Sequence, residues 1–346
     1  MSEATDQNNN SLPRSEKIYN AERGKVQLAY KEFLPSKNTE GLNPDQAIVY
    51  IPGFPNDAGD TSIGTIPQAF AENGNMRTFA LSATRSMRAN SSDETDAMLE
   101  FIKEQGLKEI TLSGYSMGAA RAVDLAAKIK ALKGTPDEIK VNGLILFDPA
   151  GVHNEGGIAR RFLSDFNNDR LENKKYNRSG AQSMKDLVGA IKNKVKFTKG
   201  AYPITLAKDI RRLSKMTPST QDIDVPVVLV TPDRDPVSKN LAPLENPKAA
   251  REISTTAAQR ETMTEDEEKQ IHEDVRDALA GRAQNTRDRE DYVAQNIFPN
   301  SPSVSVLRPE KHSTHAGMQN FRYDQATKTS LYMLRRLKRP QKTNGK

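Results

Sequence analysis

The sequence contains no cysteine and only four histidines among its 346 residues. Without cysteine the chain has no disulfide and no thiolate metal site, a composition that is compatible with a reducing compartment. None of the four histidines belongs to a His-Glu-x-x-His motif, so we do not expect a zinc enzyme of that kind.

Long apolar runs are also absent. No run approaches the roughly 20 apolar residues that a membrane-spanning helix needs, and residues 1–17 lack the basic start and apolar stretch of a secretion signal. We expect a cytoplasmic protein, with a peripheral position at a membrane as the alternative. Residues 1–15 are expected to form a disordered leader, and residues 339–346 a flexible basic tail.

Aromatic residues make up only 6% of the chain, whereas basic residues are concentrated in one segment. The formal net charge is +6, and residues 151–220 hold fifteen Lys and Arg against six Asp and Glu. Nucleic-acid-binding surfaces usually spread basic and aromatic residues together along one face. We therefore expect no nucleic-acid partner, and we treat the basic segment as a local feature.

Short apolar runs alternate with amphipathic helical patterns along most of the chain, which predicts a largely parallel sheet covered by helices on both faces. Near the N-terminus we expect two strands that are joined by a turn near Gly24. Further strands are expected at 47–54, 77–83, 108–114, 141–151, 225–232 and 303–308, and helices at 61–74, from Ser91, from Ser116 to Lys130, and at 317–338. On the third helix we place Arg121, Asp124 and Lys128 on the solvent face.

Two long segments interrupt this alternation and predict insertions. Residues 153–222 read as several basic helices, and residues 239–300 as a more acidic, partly helical insertion. The remaining core comprises residues 16–152 and 223–338.

The motif Gly114-Tyr115-Ser116-Met117-Gly118 lies between a predicted strand and a predicted helix. A serine on such a tight turn has a strained backbone, needs small neighbours two positions away, and presents its hydroxyl above the sheet beside a helix N-terminus. This context favours a nucleophile. The alternative is a glycine-flanked turn in which Ser116 serves only as a helix cap.

On this motif the chain resembles the α/β-hydrolase family, over nearly its whole length outside the leader and the 239–300 insertion. The resemblance implies an α/β-hydrolase fold, with a mostly parallel central sheet and a helical lid at 153–222. It also implies an oxyanion hole with two backbone donors. One is the N–H of Met117. The other comes from the loop after strand 47–54, where Phe54 is the first choice and Gly53 the second.

The resemblance further implies an acid after a late strand and a base after the last strand. Asp235 has the usual spacing for the acid, with Asp233 as the alternative. His312 has the usual placement for the base, with His315 as the alternative. The order Ser116, Asp235, His312 is the chain order of the family's catalytic triad.

The function implied is a serine hydrolase that cleaves a carboxylic ester, with lipid-like acyl esters among the candidates, and that needs neither cofactor nor metal. An acyltransferase or a peptidase would use the same residues, and a non-catalytic binding protein is the alternative from another class. The lid would select the substrate. Its basic residues are expected to face an anionic surface or an anionic substrate, or else only solvent.

Overall fold

The computed structural model describes residues 17–20, 26–36, 40–53, 65–85, 91–150, 218–231, 290–307 and 323–337. Within these ranges the strands are β1 (Lys17–Asn20), β2 (Val26–Phe33), β3 (Gln46–Ile51), β4 (Arg77–Arg85), β5 (Glu109–Tyr115), β6 (Lys140–Phe147), β7 (Val227–Val230) and β8 (Val304–Leu307). The helices are α1 (Thr65–Gly74), α2 (Ser91–Glu104), α3 (Met117–Lys130) and α4 (Tyr323–Leu337), with a 3-10 helix at Pro218–Asp222.

These strands form a single sheet in the order β1-β2-β4-β3-β5-β6-β7-β8. β1 pairs antiparallel with β2, and β2 pairs antiparallel with β4. Every other neighbouring pair is parallel, from β4 through to β8. The predicted pair of N-terminal strands and the predicted largely parallel sheet are both confirmed, while the predicted turn near Gly24 lies outside the described residues.

The central strands are buried on both faces, which explains why they are continuous apolar runs in the sequence. In β3, Ile48 and Tyr50 join the core cluster that α1 and α4 cover. Val49 and Ile51 join the cluster on the opposite face, under α2 and α3. Alternate residues of one strand therefore serve two separate cores, and the sheet is held rigidly between two layers of helices.

The ends of the elements differ from the predicted ones where proline intervenes. β3 ends at Ile51 instead of at 54, because Pro52 has no N–H to continue the ladder. β7 covers only Val227–Val230 of the predicted 225–232, and Pro226 directly precedes it. Helix α2 begins at Ser91, as its capping pattern predicts.

The predicted solvent face of α3 is wrong at Asp124. This side chain is only 8% exposed and accepts a 2.8 Å hydrogen bond from the hydroxyl of Ser219. The reason is tertiary packing, since the 3-10 helix Pro218–Asp222 lies against α3. Arg121 on the same face contacts α2 through Glu94, with 2.6 Å between Nε and Oε2.

The described ends of the two predicted insertions pack against the core. Thr220 in the 3-10 helix is fully buried. Residues 290–296 are helical, and Val293 and Ile297 join the core cluster under α2 and α3. The predicted leader, most of both predicted insertions and the predicted tail lie outside the described residues and stay predictions. These segments are residues 1–15, 153–217, 239–289 and 339–346.

Candidate active site

Ser116 lies at the junction between β5 and α3, at the carboxyl edge of the parallel sheet. Its backbone has φ 52° and ψ −121°, a conformation that an L-residue rarely adopts and that costs about 1–3 kcal/mol. The residue is 1% exposed. It occupies the N-cap position of α3 but makes no side-chain capping hydrogen bond, so the alternative reading of Ser116 as a helix cap is wrong.

The two glycines of the motif are required by close backbone contacts. A Cβ on Gly114 would lie 2.6 Å from the backbone N and Cα of Ala119. A Cβ on Gly118 would lie 2.5 Å from the carbonyl oxygen of Pro52 and closer still to that of Ile51. Real Cβ atoms do not make such contacts, so the tight turn at Ser116 needs glycine at both positions.

The loop after β3 passes directly beside the turn. A Cβ on Gly53 would lie 2.9 Å from both the Cβ of Ser116 and the carbonyl oxygen of Tyr115. Gly53, the second-choice oxyanion donor, is therefore in contact range of the candidate nucleophile. Phe54, the first choice, lies outside the described residues.

Met117 begins α3 and is 4% exposed. The first N–H groups of a helix have no acceptor within the helix, and the helix dipole makes this end electropositive. A negative charge that develops beside Ser116 would be stabilised here. This environment suits the role that the sequence predicts for the N–H of Met117.

Both backbone polar groups of Ser116 are hydrogen-bonded to the turn that follows β6. The N–H of Ser116 donates to the carbonyl oxygen of Phe147 at 2.9 Å, and the N–H of Ala150 donates to the carbonyl oxygen of Ser116 at 3.1 Å. The N–H of Ala119 donates to the same oxygen at 3.0 Å. The strained conformation is thus fixed from two sides.

Asp235, His312 and the alternative base His315 lie outside the described residues, but the strands that precede them end beside Ser116. The carboxyl ends of β5, β6, β7 and β8 lie side by side, because their last residues are register partners: Tyr115, Phe147, Val230 and Leu307. At about 4.8 Å per strand, the ends of β7 and β8 lie about 10 and 14 Å from β5. Asp235 and His312 each follow their strand by five residues, which span up to about 17 Å when extended. The chain is long enough for both to reach Ser116.

Asp148 is a residue at this edge that the sequence reading missed. It directly follows β6, is fully buried and has a φ of 43°. Its N–H donates to the carbonyl oxygen of Val230 at 2.8 Å. The Asp148-Pro149 pair after a buried strand is a turn signal that could have marked it, because aspartate tolerates positive φ.

Among the described residues, Tyr50 is a titratable group near this edge whose pKa is strongly raised. Burial raises the pKa of its phenol far above the usual value, and the nearby negative charge of Asp148 raises that pKa further. The phenol therefore stays protonated at physiological pH. Its ring packs against Phe70 with 6.5 Å between the centroids, so it forms part of the wall under α1.

Across the part of the chain that the structure describes, no three His, Asp or Glu side chains are grouped in a way that could hold a metal ion. Within those same ranges, no helix has the length and apolar character to cross a bilayer.

No protein family model matches the chain, and no curated protein matches its sequence. Among solved structures, a membrane phospholipase A described as a bacterial virulence factor aligns over 93% of this chain and 87% of its own, with a TM-score of 0.51 and 16% identity. A thermophilic esterase from Thermogutta terrifontis aligns over 94% and 99%, with a TM-score of 0.48 and 15% identity. The phospholipase likeness and the sheet order show the fold: the chain has the α/β-hydrolase fold, as predicted.

Proposed function

We propose that this protein is a serine hydrolase that cleaves a carboxylic ester, with Ser116 as the nucleophile. The observation that carries the proposal is the backbone of Ser116, which is strained at φ 52° and ψ −121° although its hydroxyl does not cap the helix. A structural turn could relieve that strain by placing glycine there. A nucleophilic serine benefits from the strained conformation, because the turn presents its Oγ at the helix N-terminus.

The proposed mechanism is acyl transfer to the serine, followed by hydrolysis. His312 accepts the hydroxyl proton while Oγ attacks the ester carbonyl carbon, and the oxyanion is held by the N–H of Met117 together with that of Phe54 or Gly53. The alcohol leaves with the proton from His312. Water then attacks the acyl-enzyme and gives a proton to His312, and His312 passes that proton to Oγ as the acid is released and the free serine is restored.

Asp235 is proposed to orient His312 and to stabilise the imidazolium that forms in each step. Asp233 and His315 are the alternatives for the acid and the base. The proposal is supported by chain order and by the strand ends that precede these residues.

For the substrate we propose a lipid-like acyl ester. The solved structure with the highest TM-score cited above is that of a membrane phospholipase A. The basic segment 153–222 is proposed as a lid that faces an anionic lipid surface or an anionic substrate. Hydrolysis is favoured over transfer because water is the default acceptor of an acyl-enzyme.

A fluorophosphonate probe tests the nucleophile, since the attacking Oγ displaces fluoride from phosphorus and stays covalently labelled. We expect the wild type to gain one label by intact mass and Ser116→Ala to gain none. Ser113→Ala is the matched control, because Ser113 is a buried serine of β5 whose hydroxyl donates to the carbonyl oxygen of Ile145. It should label like the wild type. An unlabelled wild type, or a labelled Ser116→Ala variant, would contradict the proposal.

The same probe assigns the base. His312→Ala should lower the labelling rate by about 10²–10⁴-fold, which is the usual contribution of a general base, while His315→Ala should label at close to the wild-type rate. The reverse pattern would transfer the role to His315.

A further inference from the structure

We propose that residues 147–150, here called the β6 turn, hold Ser116 in its reactive backbone conformation and that Asp148 is the positioning residue of this turn. The proposal rests on the function proposed above, since it concerns the geometry of the nucleophile. Asp148 acts through the backbone of Ser116 and not on the substrate.

The β6 turn contacts Ser116 at both of its backbone polar groups. The carbonyl oxygen of Phe147 accepts a hydrogen bond from the N–H of Ser116 at 2.9 Å. Three residues later, the N–H of Ala150 donates a hydrogen bond to the carbonyl oxygen of Ser116 at 3.1 Å. One short segment must therefore present an acceptor and then a donor to the same residue. The chain has to reverse between Phe147 and Ala150 for this to happen.

Asp148 supplies the reversal. Its φ of 43° lies in the left-handed region, and its N–H is bonded to Val230 on the neighbouring strand at 2.8 Å. Asp, Asn and Gly adopt this conformation readily, whereas a residue such as alanine does so at a cost. The identity of residue 148 thus determines how well the N–H of Ala150 is aimed at Ser116.

The two residues with positive φ at this edge occur as a pair. Among the described residues, the non-glycine residues with positive φ are Asn75, Ser116 and Asp148. Ser116 and Asp148 are joined through the hydrogen bonds of the β6 turn, and strain at one residue persists only where the surrounding structure enforces it. Asn75 lies between α1 and β4, at the amino end of the parallel strands.

The test is a series at position 148, read by the kinetic constants for a p-nitrophenyl ester. Asp148→Asn and Asp148→Gly keep the left-handed conformation and should retain kcat within about twofold. Asp148→Ala should lower kcat by a factor of about 5 to 30, which corresponds to the backbone penalty for alanine. KM should stay unchanged in all three variants, because no substrate contact is altered.

Asn75→Ala is the matched control, since it carries the same backbone penalty at the opposite edge of the sheet. It should lower the thermal midpoint and leave kcat unchanged. If Asp148→Asn loses as much activity as Asp148→Ala, the carboxylate matters instead of the backbone, and the proposal is overturned. The Asn and Gly variants decide this even if the alanine variant does not fold.

Amide hydrogen exchange separates this inference from the proposed function. The N–H of Ala150 should exchange faster in Asp148→Ala than in the wild type, and at the wild-type rate in Asp148→Asn. Equal exchange in the wild type and in Asp148→Ala overturns the positioning role. A wild type that fails to label with fluorophosphonate overturns the hydrolase proposal, while the exchange result still judges the β6 turn.

Discussion

At the scale of single residues, Gly118 shows how closely the turn at Ser116 is packed. Its Cα faces the carbonyl oxygens of Ile51 and Pro52, which leave no room for a methyl group. These carbonyls belong to the last residue of β3 and to the residue after it, where the proposed oxyanion loop departs. A substituent on Gly118 would therefore displace the turn and the loop relative to each other.

We predict that Gly118→Ala lowers kcat by about 10²-fold, the loss expected when reacting groups are misplaced by about 1 Å. Helix propensity alone would favour the alanine by about 1 kcal/mol, so a loss of activity would report the close contact. The measurement is kcat for a p-nitrophenyl ester together with the thermal midpoint.

Gly74→Ala provides the comparison for this variant. The nearest atom to a Cβ on Gly74 is the flexible end of Ile48, at 3.2 Å, so little has to move. Its kcat should match that of the wild type. Wild-type activity in Gly118→Ala would mean that the packing around the turn tolerates a methyl group and that the stated reason for the glycine is wrong.

The tight turn at Ser116 could be predicted from the sequence because the requirement for small neighbours is local and shows as glycine two positions away on each side, while the role of Ser116 as nucleophile stays a prediction. The Asp148-Pro149 pair marks a turn in the sequence, but the contact of that turn with Ser116 could not be predicted, because it depends on which turn lies beside β5 in space. The predicted roles of Asp235, His312 and Phe54 rest on chain order and on the ends of the preceding strands, and they stay predictions.

At the scale of secondary-structure elements, α2 and α3 are joined by a buried ion pair. Glu94 on α2 has a side chain that is 2% exposed, and Arg121 on α3 approaches it to 2.6 Å. A carboxylate of this burial is stable only while its partner remains. Because α3 begins directly after Ser116, the proposed nucleophile, the pair stabilises the helix that carries the candidate site without involving Ser116 itself.

We predict that Arg121→Gln lowers the free energy of unfolding by about 3 kcal/mol, the range for breaking a buried pair, because the buried carboxylate of Glu94 then loses this charged partner. kcat should change little. Urea denaturation followed by circular dichroism measures the effect.

Asp137→Asn serves as the control for charge loss alone. Asp137 pairs with Lys103 of α2 at 2.6 Å, but this pair is exposed. The hydrogen bond and charge of Lys103 hold the pKa of the Asp137 carboxyl below its usual range. Exposed pairs contribute little to stability, so the urea midpoint should hardly move. Equal shifts in the two variants would contradict the buried-pair argument.

The order and type of the elements could be predicted because each strand is a separate apolar run and each helix has its own period. The solvent face of α3 could not, because Ser219, which covers Asp124, lies 95 residues further along the chain. Burial of a polar side chain by such a distant segment leaves no periodic signal in the helix itself.

At the scale of the whole molecule, charge is distributed unevenly. Residues 151–220 carry a surplus of nine positive charges, although the net charge of the chain is only +6. On the described core, basic residues such as Lys128 and Lys140 face the acidic partners Asp96 and Glu109. An anionic membrane would therefore be attracted chiefly by the basic segment.

We predict that the protein binds vesicles of phosphatidylcholine with about one third phosphatidylserine. The triple variant Lys192→Gln/Lys194→Gln/Lys196→Gln should bind them at least about tenfold more weakly, because each surface lysine contributes about 1 kcal/mol. Sedimentation across a salt series measures it, because added salt shortens the Debye length to about 3 Å at 1 M. The triple variant of the exposed core lysines Lys108, Lys133 and Lys328 removes the same charge and should bind like the wild type. Binding that is insensitive to salt, or equal on neutral vesicles, would contradict an electrostatic role for the proposed lid. The substrate of the proposed hydrolase would then have to reach Ser116 from solution.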